Sequence, residues 1–133
     1  MDPIALCIKS QTEMFGHARF ELVDELTTPD VIDHGTLGGA HGREALKEQI
    51  RRLHSGLDDI AYDVKDAFQS EDKVVIRCTA RATNTREWMG HPPTGKSFAV
   101  QHIHVYRLEG DRIAEHWGAR DDLGMLRQLG HVG

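Results

Sequence analysis

The spacing of apolar residues changes once along this chain, and that change restricts the fold more than any other feature. As far as Leu57, apolar side chains recur at three- and four-residue steps; from Asp58 to Trp117 they alternate at every second position. The first pattern winds helices that bury one stripe, and the second lays down strands that bury one face. Helices followed by a run of consecutive strands make an α+β domain rather than alternating βαβ units.

Within the helical part, Ile4, Cys7, Ile8, Met14, Phe15 and Ala18 share one face of a helix predicted over 3–18, interrupted by Gln11. Asp2 can cap it and Pro3 suits its first position. A short helix over 20–26 follows, then a breaker at Thr28-Pro29-Asp30, the segment Val31–His34 and a flexible loop over 35–39. Leu46, Ile50, Leu53 and Leu57 stripe a third helix over 43–57, whose other faces are charged.

Strands are expected over 60–68, 73–86, 98–108 and 112–117. Turns at Ser70-Glu71-Asp72 and Glu109-Gly110-Asp111, a loop over 87–97 and a closing helix over 122–129 stopped by Gly130 complete the chain. Meander connections require antiparallel neighbours. A long curved sheet wrapped onto helices leaves a conical cavity, a usual place for a small ligand. The 133 residues hold no repeat, linker or low-complexity tract, so a single domain over 1–133 is expected.

Charge and motifs exclude several functions. A net charge of −5 argues against a nucleic-acid partner. No apolar run approaches the ~18 residues of a membrane span, and no signal pattern opens the chain, so a cytoplasmic protein with no membrane partner is expected. Cys7 and Cys78 lie in apolar stripes and read as buried free thiols. Phosphate-binding loops, nucleophile elbows and zinc-protease motifs are missing from the sequence.

The polar residues with chemical potential concentrate near the end. Phe98, Val100, His102, His104 and Tyr106 form one row of a strand, expected to face the cavity; Ala99, Gln101, Ile103, Val105 and Arg107 face the helices or a partner subunit. The His-x-His pair also suits a metal. However, Glu109, the carboxylate at the right distance, falls on the opposite face and in a turn, so no metal is expected. Trp117, with Ile113, walls the cavity or packs under the helices. Asp121 and Asp122 open the last helix; Asp122 is expected to cap it while Asp121 turns toward the cavity. A drier site there would raise a carboxyl pKa toward the range useful for acid/base work. His34, beside the flexible loop, is a candidate substrate contact, and Arg77 with Arg81 offers cations to an anionic ligand.

Ile32-Asp33-His34-Gly35, the loop Trp88-Met89-Gly90-His91-Pro92-Pro93-Thr94-Gly95-Lys96, the Tyr106–Trp117 hairpin and the ending Asp121-Asp122-Leu123-Gly124-Met125-Leu126-Arg127-Gln128-Leu129-Gly130 carry a resemblance. Together they resemble the SnoaL-like polyketide cyclases, also called ester cyclases, of the nuclear-transport-factor-two-like superfamily. The resemblance implies an α+β cone, with three N-terminal helices against a curved, mainly antiparallel sheet. It implies chemistry without metal or cofactor, an intramolecular aldol ring closure or related proton transfer on a small carbonyl substrate. Asp121 matches the family's general acid/base, His102 or His104 its neighbouring histidine, and His34 its pocket-edge histidine. The expected catalytic residues are thus Asp121, His102 and His104, and the expected substrate contacts His34, Trp117, Phe15, Arg77 and Trp88. A homodimer or higher oligomer is implied as well. The alternatives are a non-catalytic small-molecule-binding domain, another enzyme of the superfamily (isomerase, dehydratase or hydrolase), and a histidine-rich metal enzyme.

Overall fold

The computed structural model describes residues 1–35 and 39–133. The helices are α1 (Pro3–Lys9), continued by a π-helical segment (Ser10–Phe15), then α2 (Glu21–Leu26), α3 (Arg43–Gly56) and α4 (Asp122–Leu129). The strands are β1 (Thr27–Asp33), β2 (Ala40–His41), β3 (Leu57–Ser70), β4 (Lys73–Asn84), β5 (Ser97–Glu109) and β6 (Arg112–Arg120). They form one six-stranded sheet in the order β2-β1-β6-β5-β4-β3. The α+β expectation holds, and part of the loop expected over 35–39 lies outside the described residues. Among the described residues no helix is long and apolar enough to cross a membrane.

The helix expected over 3–18 changes its winding partway. Asp2 caps its start by accepting the Ala5 N–H at 3.0 Å. Beyond Lys9 the turn widens, and the Gly16 N–H reaches five residues back to the Gln11 carbonyl at 3.1 Å. The wider turn buries Ser10, Gln11, Met14 and Phe15 together, which places the polar Gln11 inside the fold. A Cβ at position 16 would lie 2.2 Å from the Thr12 carbonyl oxygen, so this winding requires the glycine there.

Thr28-Pro29-Asp30, expected as a breaker, lies within β1. The pairing of β1 with β6 shifts register between Thr27 and Ile32, and a proline is tolerated in a strand where the ladder is interrupted. That pairing is parallel, with Asp33 opposite His116, whereas the β3-β4-β5-β6 meander is antiparallel as expected. Helices cover the concave face. Val74, Ile76, Cys78, Ala80 and Ala82 of β4 point toward them and are buried. The other face carries ion pairs between Arg77 and Asp66 and between Arg81 and Asp63, each at 2.6 Å.

Two apolar clusters form the core. One gathers Leu22, Val23, Ile50, Val74, Ile76 and Tyr106 under α1, α2 and α3; the other gathers Leu57, Ile60, Ala82, Phe98, Met125 and Leu129 under α4. Buried Asn84, at the end of β4, ties the second to its surroundings. Its amide donates to the Gly56 and Arg86 carbonyls at 3.3 and 2.7 Å. Its oxygen accepts the Thr94 N–H at 3.2 Å and lies 2.8 Å from His131 Nε2. The loop after β4 and the chain after α4 are thereby fastened to one side chain, and His131 stacks on His91 of that loop at 4.6 Å.

Candidate functional site

A cavity of about 320 Å³ lies between the helices and the sheet, within the size range of small-ligand sites. Leu53, Leu57, Ile60, Ala80, Ala82, Phe98 and Met125 supply apolar lining. Gln11, Asp33, Gln49, Tyr62, His102, His104 and His116 supply polar lining. Arg52, Arg81, Arg120 and Asp122, all exposed residues, also border the cavity.

The polar groups form an ordered chain. Asp33 Oδ2 lies 2.8 Å from His116 Nδ1, His116 Nε2 lies 2.8 Å from His104 Nδ1, and His104 Nε2 lies 3.2 Å from His102 Nδ1. Asp33, His104 and His116 are buried, and His102 is half-buried. The elements explain the placement. Two-residue alternation puts His102 and His104 on the concave side of β5. Antiparallel pairing places His116 opposite Tyr106, and parallel pairing sets Asp33 opposite His116. Tyr106 stacks on His116 at 4.7 Å, and its hydroxyl donates to Gln11 Oε1 at 2.6 Å.

Electrostatics follow from burial and these contacts. Burial pushes the Asp33 carboxyl up, but His116, the Gly35 N–H and Gln49 outweigh it and hold the group below the usual carboxylate range. The Gly35 N–H donates to Asp33 Oδ1 at 2.7 Å. Burial, then Arg120 and His116, lowers His102 to about 4. His104 is lowered further, to about 2, by burial and by His116, His102 and Arg120. Both rings are therefore neutral at neutral pH. Burial raises Tyr62 and Tyr106, so both remain phenols.

Among the expected site residues, Phe15, Trp88, His102 and His104 line the cavity, whereas Arg81, at its border, turns its guanidinium to Asp63 on the other face of the sheet. His34 and Trp117 are not among its lining residues: they stack on each other at 5.1 Å, and His34 pairs with Glu115 at 2.9 Å. Arg77 pairs with Asp66 on the other face of the sheet. The two aspartates exchange their expected places. Asp121 is exposed and caps α4, accepting the Gly124 N–H at 2.8 Å, while Asp122 borders the cavity. The reason is local: the residue before the helix is the one whose side chain can reach back to the orphan N–H groups, and that residue is Asp121.

Sequence reasoning missed Asp33 and His116 as a pair. Their proximity depends on strand pairing across 83 positions. Alternation along β6 sets His116 on one face with Ala114, and the structure shows that face to be the buried one.

Cys78, directly opposite His102 across the β4–β5 ladder, joins His102 and His104 in a group whose ligand-type atoms lie within 4.8 Å of one another. Such a set suits zinc by type. Both nitrogens of His104 are engaged in the histidine chain, and burial pushes the Cys78 thiol up to about 11, so the group is held as thiol and hydrogen-bonded imidazoles. Elemental analysis of chelator-free protein is expected to find no stoichiometric zinc; zinc retained in proportion to the chain would show that the cluster works as a metal centre.

Known structures share this fold over nearly its full extent. IdmH of Streptomyces antibioticus, described as a candidate polyketide cyclase, is 32% identical over 98% of this chain and 99% of its own, with a TM-score of 0.82. TsrD of Streptomyces laurentii is 26% identical over 94% of this chain and 92% of its own, with a TM-score of 0.84. A candidate SnoaL-like polyketide cyclase of Jannaschia sp. CCS1 shares the fold at 16% identity, covering 100% and 98% of the two chains with a TM-score of 0.87. Comparison with curated protein sequences returned no match. The family model for SnoaL-like polyketide cyclases matches residues 5–129, and the chain belongs to that family.

Proposed function

We propose that this protein catalyses proton transfer at the carbon alpha to a carbonyl of a small, largely apolar substrate, as in an intramolecular aldol-type ring closure. One observation carries the reading: an amphipathic cavity presents neutral His102 among its polar lining. With Nδ1 engaged by His104, Nε2 is the ring nitrogen left to meet substrate. A neutral imidazole can accept a proton, whereas an imidazolium cannot. The apolar lining takes the body of the substrate, and membership of a polyketide cyclase family supports a carbonyl compound. Incubating the protein with small cyclic and acyclic ketones in D2O, and following loss of the α-proton signal by NMR, tests the chemistry without the natural substrate. Exchange above the buffer rate supports the reading. If ligands bind but no α-proton exchanges for any of them, the non-catalytic binding domain becomes the better account.

The two aspartates divide differently from the family pattern in this proposal. Of the two, Asp122 is the one that borders the cavity, and Asp121 positions α4. Asn caps helices about as well as Asp, so Asp121→Asn is expected to keep kcat within about threefold. Asp122→Asn is expected to raise KM by about tenfold, the scale of one hydrogen bond to a charged group. A hundredfold fall in kcat for Asp121→Asn would instead give it the acid/base role that the resemblance implies.

A further inference from the structure

We propose that Asp33, His116 and His104 form a proton relay behind His102, which stores the substrate's proton as an imidazolium at His116 against the Asp33 carboxylate. The inference rests on the reading of His102 as base and extends it to three residues that need not touch substrate.

Direction follows from donor and acceptor chemistry. An ionised carboxylate only accepts, so the proton between Asp33 and His116 resides on His116 Nδ1. His116 Nε2 is then the acceptor, which requires the proton on His104 Nδ1. His104 Nε2 in turn accepts from His102 Nδ1. All three neutral rings share one tautomer, and the row ends in a lone pair on His102 Nε2. Asp33 thus sets the protonation of a ring three links away.

The step balances. The substrate Cα–H bond breaks, its electron pair passes to the enolate oxygen, and the proton joins His102 Nε2. The His102 Nδ1 proton moves to His104 Nε2, and the His104 Nδ1 proton moves to His116 Nε2. His102 and His104 end neutral with their tautomers switched, every contact again has one donor and one acceptor, and His116 carries the charge 2.8 Å from Asp33. Reversal returns the proton to the oxygen of the product. Without this transfer the charge would rest on His102, where burial, Arg120 and His116 oppose it.

The groups around the chain leave Asp33 as its counter-ion. From β5 come Tyr106 and from β3 Tyr62, both held as phenols; from β4 comes Cys78, held as thiol. Arg120 of β6 and Arg52 of α3 are cations, and Asp122 at α4 lies 3.8 Å from Arg120. The π-helical segment offers Ser10, Gln11, Met14 and Phe15, none of them charged.

Three measurements on the full chain test the relay. Long-range ¹H–¹⁵N NMR of the resting protein should read His102, His104 and His116 all as Nδ1–H tautomers; an Nε2–H tautomer at His104 or His116 overturns it. Asp33→Asn, whose amide can donate as well as accept, should lower kcat for α-proton exchange by about 10²- to 10⁴-fold, the scale seen when the carboxylate behind a catalytic histidine is lost. Its KM should stay within about threefold, and its tautomers should become mixed. A folded Asp33→Asn with unchanged kcat and unmixed tautomers overturns the relay. If Asp33→Asn does not fold, the resting tautomers decide alone, and an Nε2–H at His104 or His116 in the unmodified protein overturns the relay. His102→Gln separates the two readings: full exchange in that variant defeats the base assignment itself, whereas lost exchange there beside unchanged exchange in Asp33→Asn defeats the relay alone.

Discussion

Replacing His102 with Gln should slow α-proton exchange by about 10²- to 10⁴-fold, the usual contribution of a positioned general base. The melting temperature should fall by no more than a few degrees. Gln is close to His in reach, its amide can donate to His104 Nε2 in place of the lost Nδ1–H, and the position is half-buried rather than sealed. What Gln cannot do is accept a proton at neutral pH. A fall in kcat with KM nearly unchanged would mark an interaction made only in the transition state. A rise in KM alone would make His102 a binding group.

Asn84→Ala should be the most damaging substitution outside the site. It strands the Arg86 carbonyl, the Thr94 N–H and the His131 ring at once, and leaves the Gly56 carbonyl to the Thr85 and Arg86 N–H groups alone. Each buried polar group left unpaired costs about 1–3 kcal/mol, less where water can enter. Because the loop after β4 is partly exposed, a total of about 3–5 kcal/mol is expected. For a chain of this size that lowers Tm by about 10–15 °C, read by calorimetry. His131→Ala removes one of the four contacts and should cost about 1 kcal/mol. Trp88 and Met89 of the same loop line the cavity, so Asn84→Ala should also weaken ligand binding at temperatures where the protein remains folded. Equal effects of the two variants would mean that the four contacts do not act as a unit.

The parts of the fold that depend on neighbours in sequence were legible. The stripe Leu46, Ile50 and Leu53 marked α3 within a residue or two of its ends, and the alternation through Val74, Ile76, Cys78 and Ala80 marked the buried face of β4. The same rule set His102 and His104 on the cavity side. What escaped depends on distant pairing or on a choice between two equivalent faces. No local pattern announces that β1 lies parallel to β6. Alternation along β6 separates Glu115 and Trp117 from Ala114 and His116, but it does not say which pair faces inward. The large apolar surface of Trp117 pointed toward the interior, yet its partner is His34 on the other side of the strand. The capping choice between Asp121 and Asp122 turned on a single residue, finer than a spacing argument resolves.

The parallel pairing of β1 with β6 has a consequence for how the chain comes together during synthesis. Asp33 precedes His116 by 83 residues. At translation rates of about 5–20 residues per second, its partner emerges about 4–17 s later. Until then the N-terminal helices closing over β1 would enclose a carboxylate held only by the Gly35 N–H and Gln49, without its cationic or imidazole partner, which is costly. Early sealing of the first third of the nascent chain is thereby disfavoured until the last strand supplies His116. The pair placed behind His102 would then also set the order of assembly, so that the cavity closes only after the residues that line it have been made.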